Sequence, residues 1–206
     1  MNRREILLVA SMLLAAGCAL NRAQVKSLRD RDAPRIQFDT VIVTTPSALN
    51  AIASKCGPAG NHRVRPEELQ VFQVVGTITR IRRERDRDIH IVLADIDHPG
   101  DHLVIESDDP DFGKNAASPY RDRLSTARHM LDALVDASAG RREAGPERPG
   151  LQTAGRTSQV RRDPGALKGT IVRVTGVGFF DYRHFQVGRS RSCIELHPIL
   201  TIERVE

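Results

Sequence analysis

Alternating apolar and polar positions mark several segments of the chain as β-strands. The first runs from Gln70 to Arg83, with Gly76 in its interior, where we expect a bend or bulge. Two shorter strands follow in "DRDIHIVLADID" and "HLVIESD". Their predicted core-facing residues are Ile89, Ile91 and Leu93 in one, and Leu103 and Ile105 in the other. Short polar turns separate the three strands, which indicates an antiparallel meander.

A different period, typical of an α-helix, follows the third strand. Ser118 and Pro119 are residues typical of a helix N-terminus, as the N-cap and the first helical position. The sequence Ser138-Ala139-Gly140 predicts the helix C-terminus. The apolar positions between them recur at helical spacing and are Tyr120, Leu124, Ala127, Leu131 and Leu134. Two more strands, in "GTIVRVTGVGFF" and "CIELHPILTIERV", complete the order β-β-β-α-β-β.

That order predicts a mainly β fold with a single five-stranded OB-fold-like barrel and one helix. A long first strand containing glycine and a helix between strands three and four are what this barrel requires. The main alternative is another small α+β fold. We place the barrel at residues 67–205, after an extension over residues 37–66 that holds a short strand at Val41 to Val43 and a helical turn from Pro46 to Ala53.

The first residues predict export. A basic start, an apolar stretch from Ile6 to Ala16 and a small-residue end resemble a bacterial lipoprotein signal peptide over residues 1–17. Cleavage there would leave Cys18 as a lipidated N-terminus that anchors the chain to a membrane, with residues 18–36 as a tether. The outer membrane facing the periplasm is the favoured location. The alternatives are a secreted or periplasmic protein, or an uncleaved anchor.

The positive charge of the chain is concentrated in one segment. The formal net charge of the chain is +5. The segment between Ala139 and Pro164 contains six arginines and three acidic residues. We interpret residues 139–164 as a disordered basic linker. Because the rest of the barrel domain is near neutral, nucleic acid is an unlikely partner.

Cysteine use leaves two alternatives. Once Cys18 is assigned to the lipid, Cys56 and Cys193 remain, and an oxidising compartment favours a disulfide between them. Two buried thiols that never meet are the alternative. Neither residue belongs to a C-x-x-C pair, so a zinc site built on cysteine is not predicted.

Ionisable residues are predicted to share the non-core face of three strands. Alternation places Asp88 and His90 there on the second strand, Glu106 on the third, and Glu195 and His197 on the fifth. In an OB barrel the third strand closes against the fifth. We therefore expect Glu106 beside Glu195 or His197 on the surface of the barrel.

The loop between the fourth and fifth strands adds further candidates. Asp181 and His184 lie in it, and Phe180 and Tyr182 could help to form a stacking platform. OB-folds use this loop for ligands.

Three functional interpretations compete. A metal-dependent hydrolase of phosphodiesters or esters would use zinc or manganese, with His90, Glu106, His184 and His197 as ligands. A binding or assembly module would recognise an envelope protein or a glycan through Asp88, Phe180, Asp181, Tyr182 and Glu195. The third interpretation is structural, with these residues stabilising turns and strand pairs. The binding module is favoured, and the hydrolase is the alternative.

Three motifs also carry a resemblance. They are Asp-x-Asp-x-His at Asp86 to His90, Gly-x-x-Phe-x-Asp-x-x-His at Gly176 to His184, and Ile-Glu-x-His-Pro at Ile194 to Pro198. Together they resemble a group of small exported bacterial proteins with an OB-fold-like domain, and the likeness covers about Arg65 to Val205. The resemblance implies an exported protein and carries over no catalytic role.

Overall fold

The computed structural model describes residues 22–53, 56, 62–113, 115–143, 163–181 and 188–205. Six strands lie in these residues: β1 Val41–Val43, β2 Val71–Arg83, β3 Ile89–Ala94, β4 His102–Ser107, β5 Ile171–Phe180 and β6 Ile194–Arg204. The α-helices are α1 Pro46–Asn50 and α2 Arg121–Glu143. Short 3₁₀ helices occupy Ala33–Arg35, Pro66–Leu69, Asn115–Ala117 and Pro164–Leu167. Cys18, Tyr182 and His184 lie outside the described residues.

Five of the strands close into a barrel. The sheet order is β1-β2-β3-β4-β6-β5, and β5 also pairs with β2, which completes the circle from β2 to β6. All pairings within the barrel are antiparallel except that of β4 with β6. This is the strand order of an OB-fold. The predicted mainly β, OB-like barrel is confirmed, and β1 adds a short strand parallel to β2 at its edge.

The bulge of β2 lies three residues beyond the predicted position. The register with β3 shifts between Ile78 and Arg80, so the extra residue is Thr79 and not Gly76. Glycine is required at position 76 for a steric reason. A Cβ at this position would lie 2.8 Å from the carbonyl oxygen of Ala94, so the close approach of β3 requires glycine.

The barrel interior is apolar, and α2 covers one of its ends. Alternate residues of every barrel strand point inward, and helix residues Ala127, Leu131 and Val135 pack against them. The helix continues to Glu143, past the predicted end at Gly140. Arginine and glutamate are good helix formers, and one interior glycine costs a helix only about 1 kcal/mol. The first residues of the predicted disordered linker are therefore helical.

Residues 22–36, which we call the N-terminal segment, pack on the barrel where the sequence predicted part of a tether. Residues 22–26 are helical. Val25, Leu28 and Ala33 are at most 1% exposed. Leu28 and Ala33 pack with Val71 of β2 in a second apolar cluster. The polar composition of the segment gave no sign of this contact, because the segment has few apolar residues, although four of them, Val25, Leu28, Ala33 and Ile36, are buried.

Two buried ion pairs attach the N-terminal segment. Arg63 donates from Nε and an Nη to the carboxylate of Asp30 at 3.3 and 3.0 Å, with both side chains inaccessible to solvent. Arg22 donates to Oε1 of Glu68 at 2.7 Å and to the carbonyl of Phe180 at 2.6 Å. A buried charge is tolerated only when it is paired. These pairs therefore fix the position of the segment.

Cys56 and Cys193 form a disulfide. Cys193 immediately precedes β6, and Cys56 lies between α1 and β2. The bond connects the extension before the barrel to the last strand of the barrel.

None of the helices in the described part of the chain has the length and apolar character needed to cross a bilayer.

Replacing Arg63 by methionine should destabilise the protein strongly, because Asp30 would keep a buried and unpaired charge. We expect a loss of about 3–5 kcal/mol in the free energy of unfolding, measured by urea denaturation. The control is Arg173→Met, since Arg173 pairs with Glu203 at 2.7 Å with both side chains about half exposed. That change should cost less than about 1 kcal/mol. Equal losses would contradict a dominant role for the buried pair.

Candidate functional site

The strand registers bring ionisable residues of three strands together. In the β3–β4 pair, His90 lies opposite Glu106. In the parallel β4–β6 pair, Val104 lies opposite Glu195 and Ile105 opposite Leu196, so His197 comes next to Glu106. Side chains of adjacent strand partners share a face. His90, Glu106, Glu195 and His197 therefore leave the apolar core on the same outer side of the barrel, and Asp88, two residues before His90, lies near Asp108 and His197.

His197 lies between two carboxylates. Its Nδ1 is 2.8 Å from Oε2 of Glu106, and its Nε2 is 3.0 Å from Oδ1 of Asp108. The other oxygen of Glu106, Oε1, is 2.8 Å from Nδ1 of His90. Glu106 thus lies between the two imidazoles, and Asp108 contacts His197 at its other ring nitrogen.

Some carboxylate oxygens of this cluster lack partners. Glu195 is 0% exposed, and within the described residues neither of its oxygens has a hydrogen-bond partner. The same holds for Oδ2 of Asp108. An unpaired buried carboxylate oxygen is costly, so it indicates a missing proton, water or cation.

Two sets of three side chains have the spacing of metal ligands. Asp88, Asp108 and His197 form one set, and Glu106, Glu195 and His197 form the other. Within each set, one potential ligand atom from each residue lies within 4.8 Å of those of the other two. We call them the Asp88 set and the Glu195 set. His197 belongs to both.

Lys26 enters the cluster from the N-terminal segment. Its Nζ lies 3.6 Å from Oε2 of Glu106 and 3.8 Å from Oδ2 of Asp181. It also lies 5.4 Å from the ring centroid of Phe179, whose ring packs against that of His197 at 5.6 Å. The Lys26 side chain is 28% exposed, whereas the carboxylates and imidazoles around it are buried.

The charges of the cluster hold Glu106 and His197 in their ionised forms. Burial alone would raise the pKa of Glu106, but Lys26 and His197 lower it well below its usual value. Burial alone would lower the pKa of His197, but Asp108 and Glu106 raise it to about 10. At neutral pH a buried carboxylate therefore lies against a buried imidazolium.

Two other carboxyl groups hold their protons. Burial, together with the charge of Asp108, raises the pKa of Asp88 to about 8. Burial, together with the charges of Glu106 and Asp181, raises the pKa of Glu195 well above its usual value. In the absence of a bound cation, protons reduce the excess negative charge of the cluster.

The structure brings together most of the residues that the sequence singled out. His90, Glu106 and His197 are in direct contact, and Asp88, Asp181 and Glu195 complete the cluster. Their location differs from the expected exposed surface, because they are buried. The N-terminal segment, expected to be a tether, covers part of that face through Lys26.

Phe180 does not belong to the cluster. Its side chain is 1% exposed and packs in the apolar interior of the barrel. Alternation along β5 explains this, since Phe179 and Phe180 point to opposite sides of the strand. Phe179, on the outer side, is the ring that contacts His197.

Sequence reasoning missed two residues of the site. Asp108 comes two residues after Glu106, so continuing the alternation past the end of the strand would have placed it on the same face. Lys26 had no comparable signal, because its position depends on tertiary packing of the N-terminal segment.

No protein-family model matches this chain, and no curated protein matches it either. The candidate site therefore rests on its own geometry.

Raising the pH should destabilise the protein in chelator-treated buffer. The pKa values of His197 and Asp88 are raised on folding, to about 10 and about 8. The folded state holds protons that the unfolded state has released, so stability falls as pH rises. We expect the free energy of unfolding to fall by on the order of 3 kcal/mol between pH 7 and pH 10.

The measurement is urea denaturation at several pH values. His197→Gln should show a clearly smaller dependence on pH than the wild type. The control is His98→Gln, which changes an imidazole that is 72% exposed and should leave the dependence unchanged. An unchanged dependence in His197→Gln would contradict the assignment of a charged His197.

Proposed function

We propose that this chain is a lipid-anchored envelope protein whose OB-like barrel binds a divalent cation. One observation carries the metal proposal: Oδ2 of the buried Asp108, a neighbour of His197, has no hydrogen-bond partner within the described residues. A cation bound by Asp88, Asp108 and His197 would use this oxygen and would replace the protons on Asp88 and His197. Anchoring through Cys18 follows from the signal-peptide pattern of the sequence.

The ligand set suits zinc or manganese. Both metals accept imidazole nitrogen and carboxylate oxygen. The Asp88 set offers two carboxylates and one imidazole, and Asp109 supports it by donating its backbone N–H to Oδ1 of Asp88 at 2.7 Å. Such a supporting hydrogen bond orients a ligand for a metal.

Burial favours a binding module over a hydrolase. A structural metal site is closed, whereas a catalytic one keeps a position open for water or substrate. Every residue of the cluster that carries a carboxylate or an imidazole is at most 7% exposed. The bound ion would thus stabilise the barrel, which would present its outer surface to an envelope protein or a glycan. Nucleic acid remains disfavoured as a partner.

A metal-dependent hydrolase is the second candidate, and one observation favours it. The Lys26 side chain, which contacts Glu106 and Asp181 in the cluster, is 28% exposed, so solvent reaches the edge of the cluster. A bound cation would supply Lewis acidity and an activated water at this site. This function requires the cluster to open, so that a phosphodiester or ester can reach it.

Metal analysis of the purified full-length chain tests the proposal. After dialysis against Zn²⁺ or Mn²⁺, we expect one ion per chain by elemental analysis. His197→Gln and Asp108→Asn should each lower the affinity by at least about tenfold, because each removes a ligand of the Asp88 set. Glu203→Gln is the matched control, since Glu203 lies on the same strand as His197 with its side chain 53% exposed.

A wild-type chain that binds neither ion would refute the metal proposal and would leave the cluster a stabilising feature of the barrel. Hydrolysis of bis(p-nitrophenyl) phosphate or p-nitrophenyl acetate by the metal-loaded chain, lost when a chelator removes the metal, would favour the second candidate over a closed binding module.

A further inference from the structure

The two ring nitrogens of His197 lie near different carboxylates, and only Nε2 has hydrogen-bond geometry. Nε2 lies 3.0 Å from Asp108, in the Asp88 set, and Nδ1 lies 2.8 Å from Glu106, in the Glu195 set. Each set alone has enough ligand groups for a cation. The cluster therefore offers two overlapping candidate positions for a cation, which share the imidazole of His197.

Lys26 contacts only one of the two sets. Its Nζ lies 3.6 Å from Oε2 of Glu106, the same oxygen that contacts Nδ1 of His197. The contact with Asp181, at 3.8 Å, is on the same side. The ammonium therefore lies beside the Glu195 set, where it supplies positive charge.

The N-terminal segment holds Lys26 from both directions. Arg22, four residues earlier, is fixed by Glu68, and Asp30, four residues later, is fixed by Arg63. Both ion pairs are buried. A lysine on a mobile segment would lose both backbone and side-chain entropy by staying near one carboxylate. Here the two ion pairs already fix the backbone on each side of Lys26, so only the side-chain part of that cost remains. The placement of the ammonium is thus a property of the fold.

An ammonium at this distance opposes a second cation. Two unit charges about 4 Å apart repel each other by roughly 4 kcal/mol at an effective dielectric constant of about 20. A metal ion held by Glu106 would be a close neighbour of Nζ. Without Lys26, the five carboxylates of the cluster would have enough negative charge for two divalent ions.

We propose that Lys26 acts as a built-in cation that occupies the Glu195 set and limits the protein to one metal ion, bound by the Asp88 set. Removal of the ammonium opens a second metal site at Glu106 and Glu195, and His197 joins both sites by releasing its two ring protons to solvent and bridging the ions as an imidazolate. This inference rests on the proposed metal-binding function and adds the number and position of the ions.

The test is the number of Mn²⁺ ions bound by the full-length chain, measured by equilibrium dialysis and elemental analysis. The wild type should bind one ion, and Lys26→Met should bind two. Lys26→Arg, which keeps the positive charge, should bind one. The matched control is Lys168→Met, which removes an exposed lysine that follows the Pro164–Leu167 turn and should leave one ion bound.

A second change locates the additional ion. Adding Glu195→Gln to Lys26→Met should return the count from two to one, because the second site loses a ligand. Glu195→Gln in the otherwise wild-type chain should keep its single ion, and this variant retains Lys26 and so tests the assignment even if Lys26→Met fails to fold. Circular dichroism melts establish which variants are folded.

The outcomes separate this inference from the proposed function. One ion in folded Lys26→Met, or loss of the ion in Glu195→Gln alone, would overturn the role of Lys26 while leaving a metal-binding protein. Absence of Mn²⁺ and Zn²⁺ from both the wild type and Lys26→Met would overturn both proposals.

Discussion

The parallel pairing of β4 with β6 is the contact on which both the barrel and its polar cluster depend. It joins only Val104 to Glu195 and Ile105 to Leu196, yet the ring of strands, which β5 completes by pairing with β2, would be open without it. Since side chains alternate along a strand, this register also sets which residues share the outer face. A shift of one residue would point Glu195 and His197 into the apolar interior and move Leu196 out of it.

The buried ionisable residues of the cluster lower the stability of the fold. Glu195 lies buried with unsatisfied oxygens, and Asp88 and Glu195 hold protons at a pH where exposed carboxylic acids are ionised. Apolar or amide side chains of similar size would fill these positions with less loss of stability. Natural proteins accept such costs mainly at functional sites. The neighbouring ion pairs of Arg63 and Arg22 differ, because their charges are matched and serve to attach the N-terminal segment.

Alternation and strand order were enough to predict the barrel and the shared face of His90, Glu106 and His197. Alternation and strand order can be read from short stretches of sequence. Closure of the sheet then brings residues of different strands close together in space. The bulge at Thr79 could not be predicted in this way, since it depends on the fit between β2 and β3. The burial of the cluster and the position of Lys26 depend on contacts between residues far apart in the chain. A polar segment with four buried apolar residues still has the composition of a tether.

The disulfide has a consequence for the integrity of the chain. Cys56 and Cys193 lie on opposite sides of the arginine-rich linker, so the polypeptide between them is one closed loop. A protease that cuts once after an arginine in the linker would open this loop without releasing a fragment. The parts of the chain before and after the cut would stay covalently joined through the disulfide. Any single cut in the backbone between residues 56 and 193 therefore leaves one covalent molecule.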